Sequence, residues 1–177
     1  MIKVNDRYFK PYIDQETIDK KIAELALEIQ LDFRGKDPLF LVVLNGAFRF
    51  AADLARNLKL PAEWQFVQLS SYSGTSSSGE VAEYFSPKIP LKDRHIIIIE
   101  DIVDTGNTMS YYLRKLEEIQ PASVQLVSLF VKETVFQNQF PVYKQGFSIP
   151  DKFIIGYGLD YDEAGRNLDG IWQVTEE

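Results

Sequence analysis

Four isoleucines in a row, Ile96 to Ile99, run straight into Glu100-Asp101. An unbroken apolar run of this kind reads as a strand buried on both faces, as in parallel sheets. Leu39 to Leu44 and Val124 to Val131 repeat the pattern, and Trp64 to Leu69 and Phe153 to Tyr157 are two further strand candidates. Between these runs the apolar positions switch to helical spacing. Ile18, Ile22, Leu25 and Ile29 predict a helix over about 15–31 with Asp14 as its N-cap. Phe50, Ala51, Leu54 and Leu58 mark a second helix, and Met109, Tyr112, Leu113 and Leu116 a third. Residues 70–82, nearly all small and polar, cannot pack a core and read as a mobile loop. Alternating strands and helices predict an α/β fold with a parallel sheet. Such sheets bind ligands beyond the strand C-termini, at a topological switch. Asn45-Gly46, the stretch Glu100 to Thr108, and Lys132 all fall at such ends. His95 reads as the start of its strand, without a catalytic role.

Composition narrows the function classes. At 177 residues the chain suits one domain with a substantial core. A net charge of −7 and a pI near 4.8 argue against a general nucleic-acid binder. The absence of cysteine excludes disulfides, thiolate nucleophiles and cysteine-based metal sites. No signal-peptide core stands in MIKVNDRYFKPYID, and no apolar run approaches the roughly 18 residues of a membrane span. A soluble, cytoplasmic protein with no membrane partner is expected.

The stretch after the isoleucines carries the chemistry. Thr105-Gly106-Asn107-Thr108 offers a glycine turn, hydroxyls and free amides at a helix start, which suits phosphate. Glu100, Asp101 and Asp104 repel phosphate and must face something else. A sugar phosphate satisfies both halves, its hydroxyls or a metal ion meeting the acids. The Walker A spacing and the dinucleotide glycine fingerprint are both absent. A phosphate-accepting aspartate fits this spacing poorly. Simple capping by Asp104 leaves Glu100-Asp101 unexplained.

The segment IIIIEDIVDTGNTM resembles the 5-phosphoribosyl-1-pyrophosphate (PRPP) motif of the type I phosphoribosyltransferases. That resemblance implies a mostly parallel central sheet flanked by helices, with a core of about 33–140. A small hood lobe would come from about 1–32 and 141–177. It also implies that Glu100 and Asp101 face the ribose hydroxyls and Mg2+. Asp104, Thr105, Gly106, Asn107 and Thr108 would cradle the 5′-phosphate, and Asp104 would act as general base or acid at the purine N7. IPDKFIIGYGLDY, residues 149–161, resembles the C-terminal signature of hypoxanthine and hypoxanthine-guanine phosphoribosyltransferases. There Phe153 would stack on the purine and the Ile154 backbone would read its Watson–Crick edge. Lys132 would donate to the 6-oxo group, Asp160 would lie near the base and the metal, and Arg166 would reach pyrophosphate. In the family, the turn at Asn45-Gly46 holds pyrophosphate through its backbone, often with a non-proline cis peptide. Many relatives carry Lys where Asn45 stands, so here amides and Mg2+ would carry that contact. Ser71-Tyr72 would open a catalytic lid.

These resemblances run through most of the chain in family order. They imply a purine-salvage transferase that moves phosphoribosyl from PRPP to N9 of hypoxanthine, and of guanine, as a homodimer or homotetramer. A xanthine- or guanine-preferring enzyme remains open. So does a nucleotide- and RNA-binding regulator on the same fold, against which the acidic pI and the intact base segment both argue.

Overall fold

The computed structural model describes residues 1–71, 81–85, 87–136 and 139–175. The chain begins with β1 (Ile2–Val4), β2 (Arg7–Ile13), α1 (Gln15–Asp32), β3 (Pro38–Leu44) and α2 (Phe48–Asn57). It continues through β4 (Glu63–Ser71), β5 (Val81–Phe85), β6 (His95–Val103), α3 (Asn107–Glu118) and β7 (Ser123–Val131). It ends with α4 (Glu133–Phe136), β8 (Lys144–Ser148), β9 (Ile154–Ile155) and β10 (Ile171–Val174).

The main sheet has the order β5-β4-β3-β6-β7-β8. All its pairings are parallel except that of β5 on β4. The isoleucine run alternates between two cores. Ile97 and Ile99 join Phe40 and Val42 beneath α1 and α2. Ile96 and Ile98 join Leu39, Leu41 and Val43 beneath α3. This is why no polar residue interrupts the run: both faces of β6 are dry, and each isoleucine adds about 1.5–3 kcal/mol of burial. Asp14 caps α1 as expected, accepting from the Thr17 amide at 2.7 Å. Helix α1, although it falls inside the 1–32 segment, packs against α2 and β8 on the main sheet.

A second, antiparallel sheet, β1-β2-β10-β9, joins the two ends of the chain. The sequence pattern predicted none of β1, β2, β5, β8 or β10. Pro11 lies within β2, opposite Trp172, where the register shifts; a bulge is one of the few places a sheet accepts proline. Two readings need correction. Strand β6 does not stop at Ile99 but continues through Val103, so Glu100 and Asp101 are strand residues. Residues 70–71 and 81–82, assigned to the mobile loop, form a ladder between β4 and β5. Tyr72 and the rest of 72–80 lie outside the described residues.

Candidate functional site

From β3 the chain leaves through α2 to β4 on one side, and from β6 through α3 to β7 on the other. The C-terminal ends of β3 and β6 lie side by side, with Val42 opposite Ile99, and form the topological switch. A cleft of about 240 Å³ opens there. Its lining includes Gly46, Glu100, Asp101 and the whole of Asp104–Thr108. Asn45 is exposed beside it, and the Leu44–Asn45 peptide bond is cis.

The loop over the cleft is set by Gly106. Its φ of +82° is costly for other residues, and a Cβ there would lie 2.8 Å from the Phe136 ring. With that turn made, α3 starts at Asn107; its N-cap Gly106 has no side chain to offer, and the Asn107 amide donates to Thr105 Oγ1 at a long 3.4 Å. The first-turn amides and the positive end of the helix dipole thus face the cleft, as an anion site requires. Gln139 steadies the loop, donating to the Thr105 carbonyl at 3.0 Å.

Below the loop sit the acids. The Oε2 atom of Glu100 is buried without a hydrogen-bond partner. Burial, then the neighbouring Asp101 charge, pushes the Glu100 carboxyl well above its usual range. Burial pushes Asp101 up to about 6, although the Ile102 amide, which donates to it at 2.9 Å, and Arg166 pull the other way. Gly46 packs directly on this carboxylate, and Gly158 packs on Gly46: a Cβ on Gly158 would lie 2.2 Å from the Gly46 carbonyl oxygen. Asp160 accepts from the Glu163 amide and from Arg166, each at 2.9 Å. Arg166 also binds Glu163 at 3.0 Å and the Gly158 carbonyl at 3.1 Å, so it is paired within its own loop. Among the described residues no three His, Cys, Asp or Glu side chains form a ready ligand set. An orphaned, buried carboxylate beside a second one nonetheless fits a cation whose other ligands come from a substrate.

The base-side residues converge from the opposite direction. Lys132 follows β7, is buried, and donates to Asp104 at 2.9 Å and to Asp151 at 3.1 Å. Burial pulls its pKa down, but the two carboxylates outweigh burial and hold it above the ordinary value. Phe153 keeps 39% of its surface exposed, with the Tyr161 ring edge-on at 5.6 Å. The Val174 amide donates to the Phe153 carbonyl, so Phe153 and Val174 form a hydrogen-bonded pair. The next pair, Ile154 with Gln173, is then a non-bonded one, and the Ile154 N–H and C=O point to the free edge of β9.

Sequence reasoning missed Asp151, although it stands inside the IPDKF segment. It also missed the β1–β2 turn, where Asn5 donates to the Tyr161 carbonyl and Asp6 accepts from the Tyr161 hydroxyl. Arg7 lies 5.0 Å above the Tyr161 ring. No sequence signal ties this turn to residues about 150 positions away. Ser71 ends β4. His95 lies at the far end of β6, with Nδ1 2.8 Å from Ser123 Oγ.

Residues 12–162 match the phosphoribosyl transferase domain. The hypoxanthine-guanine phosphoribosyltransferase of Mycobacterium avium is 40% identical over 163 residues, covering 88% of this chain and 80% of that protein. That of Lactococcus lactis is 39% identical over 169 residues, covering 95% and 92%. The hypoxanthine phosphoribosyltransferase of Trypanosoma cruzi, solved with its product IMP, superposes with a TM-score of 0.88 at 32% identity, covering 99% of this chain and 98% of that one. With a domain match over most of its length and relatives this similar end to end, the chain belongs to the hypoxanthine-guanine phosphoribosyltransferases of the phosphoribosyltransferase family.

Proposed function

We propose that this protein transfers the 5-phosphoribosyl group of PRPP to N9 of hypoxanthine, and of guanine, releasing IMP or GMP and pyrophosphate. The observation that carries the reading is the 2.9 Å contact between Asp104, in the sugar-phosphate loop, and Lys132, on the base side. A phosphate cradle and a cation suited to a 6-oxo group thus share one proton-handling carboxylate. The names of the relatives support the choice of base.

The 5′-phosphate lies on the amides of 105–108, helped by the Thr105 and Thr108 hydroxyls. Glu100 and Asp101 face the ribose hydroxyls, and the Asn45-Gly46 backbone with Arg166 takes pyrophosphate. The purine stacks on Phe153, meets the free-edge groups of Ile154, and receives a hydrogen bond from Lys132 at its 6-oxo oxygen; Asp160 flanks it. Asp104 accepts the proton at N7 as N9 bonds to C1′. The C1′–oxygen bond to pyrophosphate breaks, and pyrophosphate leaves with the electron pair. Glu100, Asp101 and Asp160 would hold Mg2+, which when bound neutralises the leaving group. The chain works as one domain, in a cytoplasmic homodimer or homotetramer.

Incubation with PRPP, Mg2+ and each base in turn tests the reading. Nucleotide should form from hypoxanthine and guanine. No nucleotide from any base overturns the activity, and a preference for xanthine overturns the assignment of the base.

A further inference from the structure

The Lys132 ammonium has two carboxylates, and the proposed reaction uses only one of them. Its side chain is 9% exposed, whereas that of Asp151 is 63% exposed. Two of the three ammonium donors reach Asp104 and Asp151, and an ammonium has a third to offer a further acceptor. Asp151 also sits on a fixed stretch of chain. The Ile149 amide donates to Val131 at 2.9 Å, and the Lys152 amide donates back to Pro150 at 2.8 Å. Phe153 follows two residues later. Asp151 therefore ties the ring that would take the base to the cation that would read it.

We infer that Asp151 is a positioning residue for base selection, holding the Lys132 ammonium toward the purine 6-oxo group while Asp104 is occupied at N7. The inference rests on the proposed function. With Asp104 alone, the buried lysine would form a closed one-to-one pair. An incoming base would then have to break that pair before either group could act on it. With Asp151 present the cation stays compensated when Asp104 turns to the proton. An exposed ion pair contributes little by itself. This one differs because its cation is buried, and loss of one partner changes where that cation points.

The full chain carrying Asp151→Asn, and separately Asp151→Ser, tests this by initial rates with each substrate varied. The KM for hypoxanthine should rise about tenfold, the scale of one hydrogen bond to a charged group. The KM for PRPP should stay within about twofold, since Asp151 lies on the base side. Asp151→Glu should restore most of the lost base affinity, because it keeps the charge. A hypoxanthine KM unchanged in both neutral variants overturns the inference while leaving the activity intact. Equal rises in both KM values also overturn it, showing a merely structural role. A wild-type chain that makes no nucleotide overturns the proposed function itself, and this inference with it.

Discussion

A Cβ placed on Gly46 would lie 1.6 Å from Oδ2 of Asp101. The turn after β3 and the carboxylate on β6 therefore fit together only because position 46 has no side chain. Gly46→Ala should displace the Asp101 carboxylate or the turn, destabilising the fold by about 1–3 kcal/mol, as over-packing does. Catalysis should suffer more than stability, since the displaced groups line the cleft. Adding Asp101→Ala should return the unfolding midpoint toward wild type without restoring activity. Calorimetry and initial rates on the single and double variants check both halves.

Asp104 is half exposed, so its loss should cost the fold little, while its contact with Lys132 places it where a proton would move. Asp104→Asn is expected to lower kcat by roughly 10²–10⁴-fold, the usual contribution of a general acid or base. Its unfolding midpoint should stay near wild type. Wild-type turnover in this variant would remove Asp104 from the proton-handling role.

The main sheet was legible because β3, β6 and β7 are buried on both faces, and dry strands leave long apolar runs. Strand β8 was not, since its Gly146 reads as a turn. The structure needs that glycine, as a Cβ there would lie 2.6 Å from the Leu129 carbonyl oxygen. Of the small sheet only β9 was anticipated, within Phe153 to Tyr157; β1 and β10 escaped because they are short, and β2 because it contains a proline. In the candidate site, contiguous residues such as Glu100 to Thr108 were readable as a unit. What could not be read was pairing across the chain. Lys132 was assigned to a ligand alone, yet two carboxylates 28 and 19 residues away hold it. Arg166 was assigned to pyrophosphate, yet in its own loop it is bound to Asp160, Glu163 and a carbonyl.

Burial raises both Glu100 and Asp101, Asp101 from 3.8 to about 6. Between pH 4 and pH 6 the folded protein thus keeps a proton at Asp101 that the unfolded chain has released. Unfolding then releases protons, so stability falls as pH rises through this window. Glu100, raised by the same burial, adds to the decline in the same direction. Unfolding midpoints of the ligand-free protein, measured in chelator from pH 4 to 7, should therefore decrease. In Asp101→Asn the decrease should be shallower, because one titrating group is gone and the other loses its charged neighbour. An identical slope in the two proteins would rule out the carboxylate pair as its cause.

Arg49 of α2 fastens the C-terminal segment to the main sheet. Its guanidinium donates to the Leu168 carbonyl at 2.9 Å and to Asp169 at 3.1 Å, and stacks 4.7 Å above the Tyr157 ring. Tyr157 in turn donates its hydroxyl to Asp53 on the same helix. The segment so anchored runs from Phe153 to Arg166 and carries most of the base-side groups. Arg49→Ala should remove the planar donor fork and the ring contact together, costing about 2 kcal/mol. For a chain of this size that is a fall of roughly 4–8 °C in the unfolding midpoint. Arg49→Lys should recover little, since an ammonium can neither fork nor stack as a guanidinium does. Because the loosened segment would hold the base, the KM for hypoxanthine should rise more than that for PRPP. Full recovery by lysine would mean that charge alone makes this attachment, and that the planar fork has no part in it.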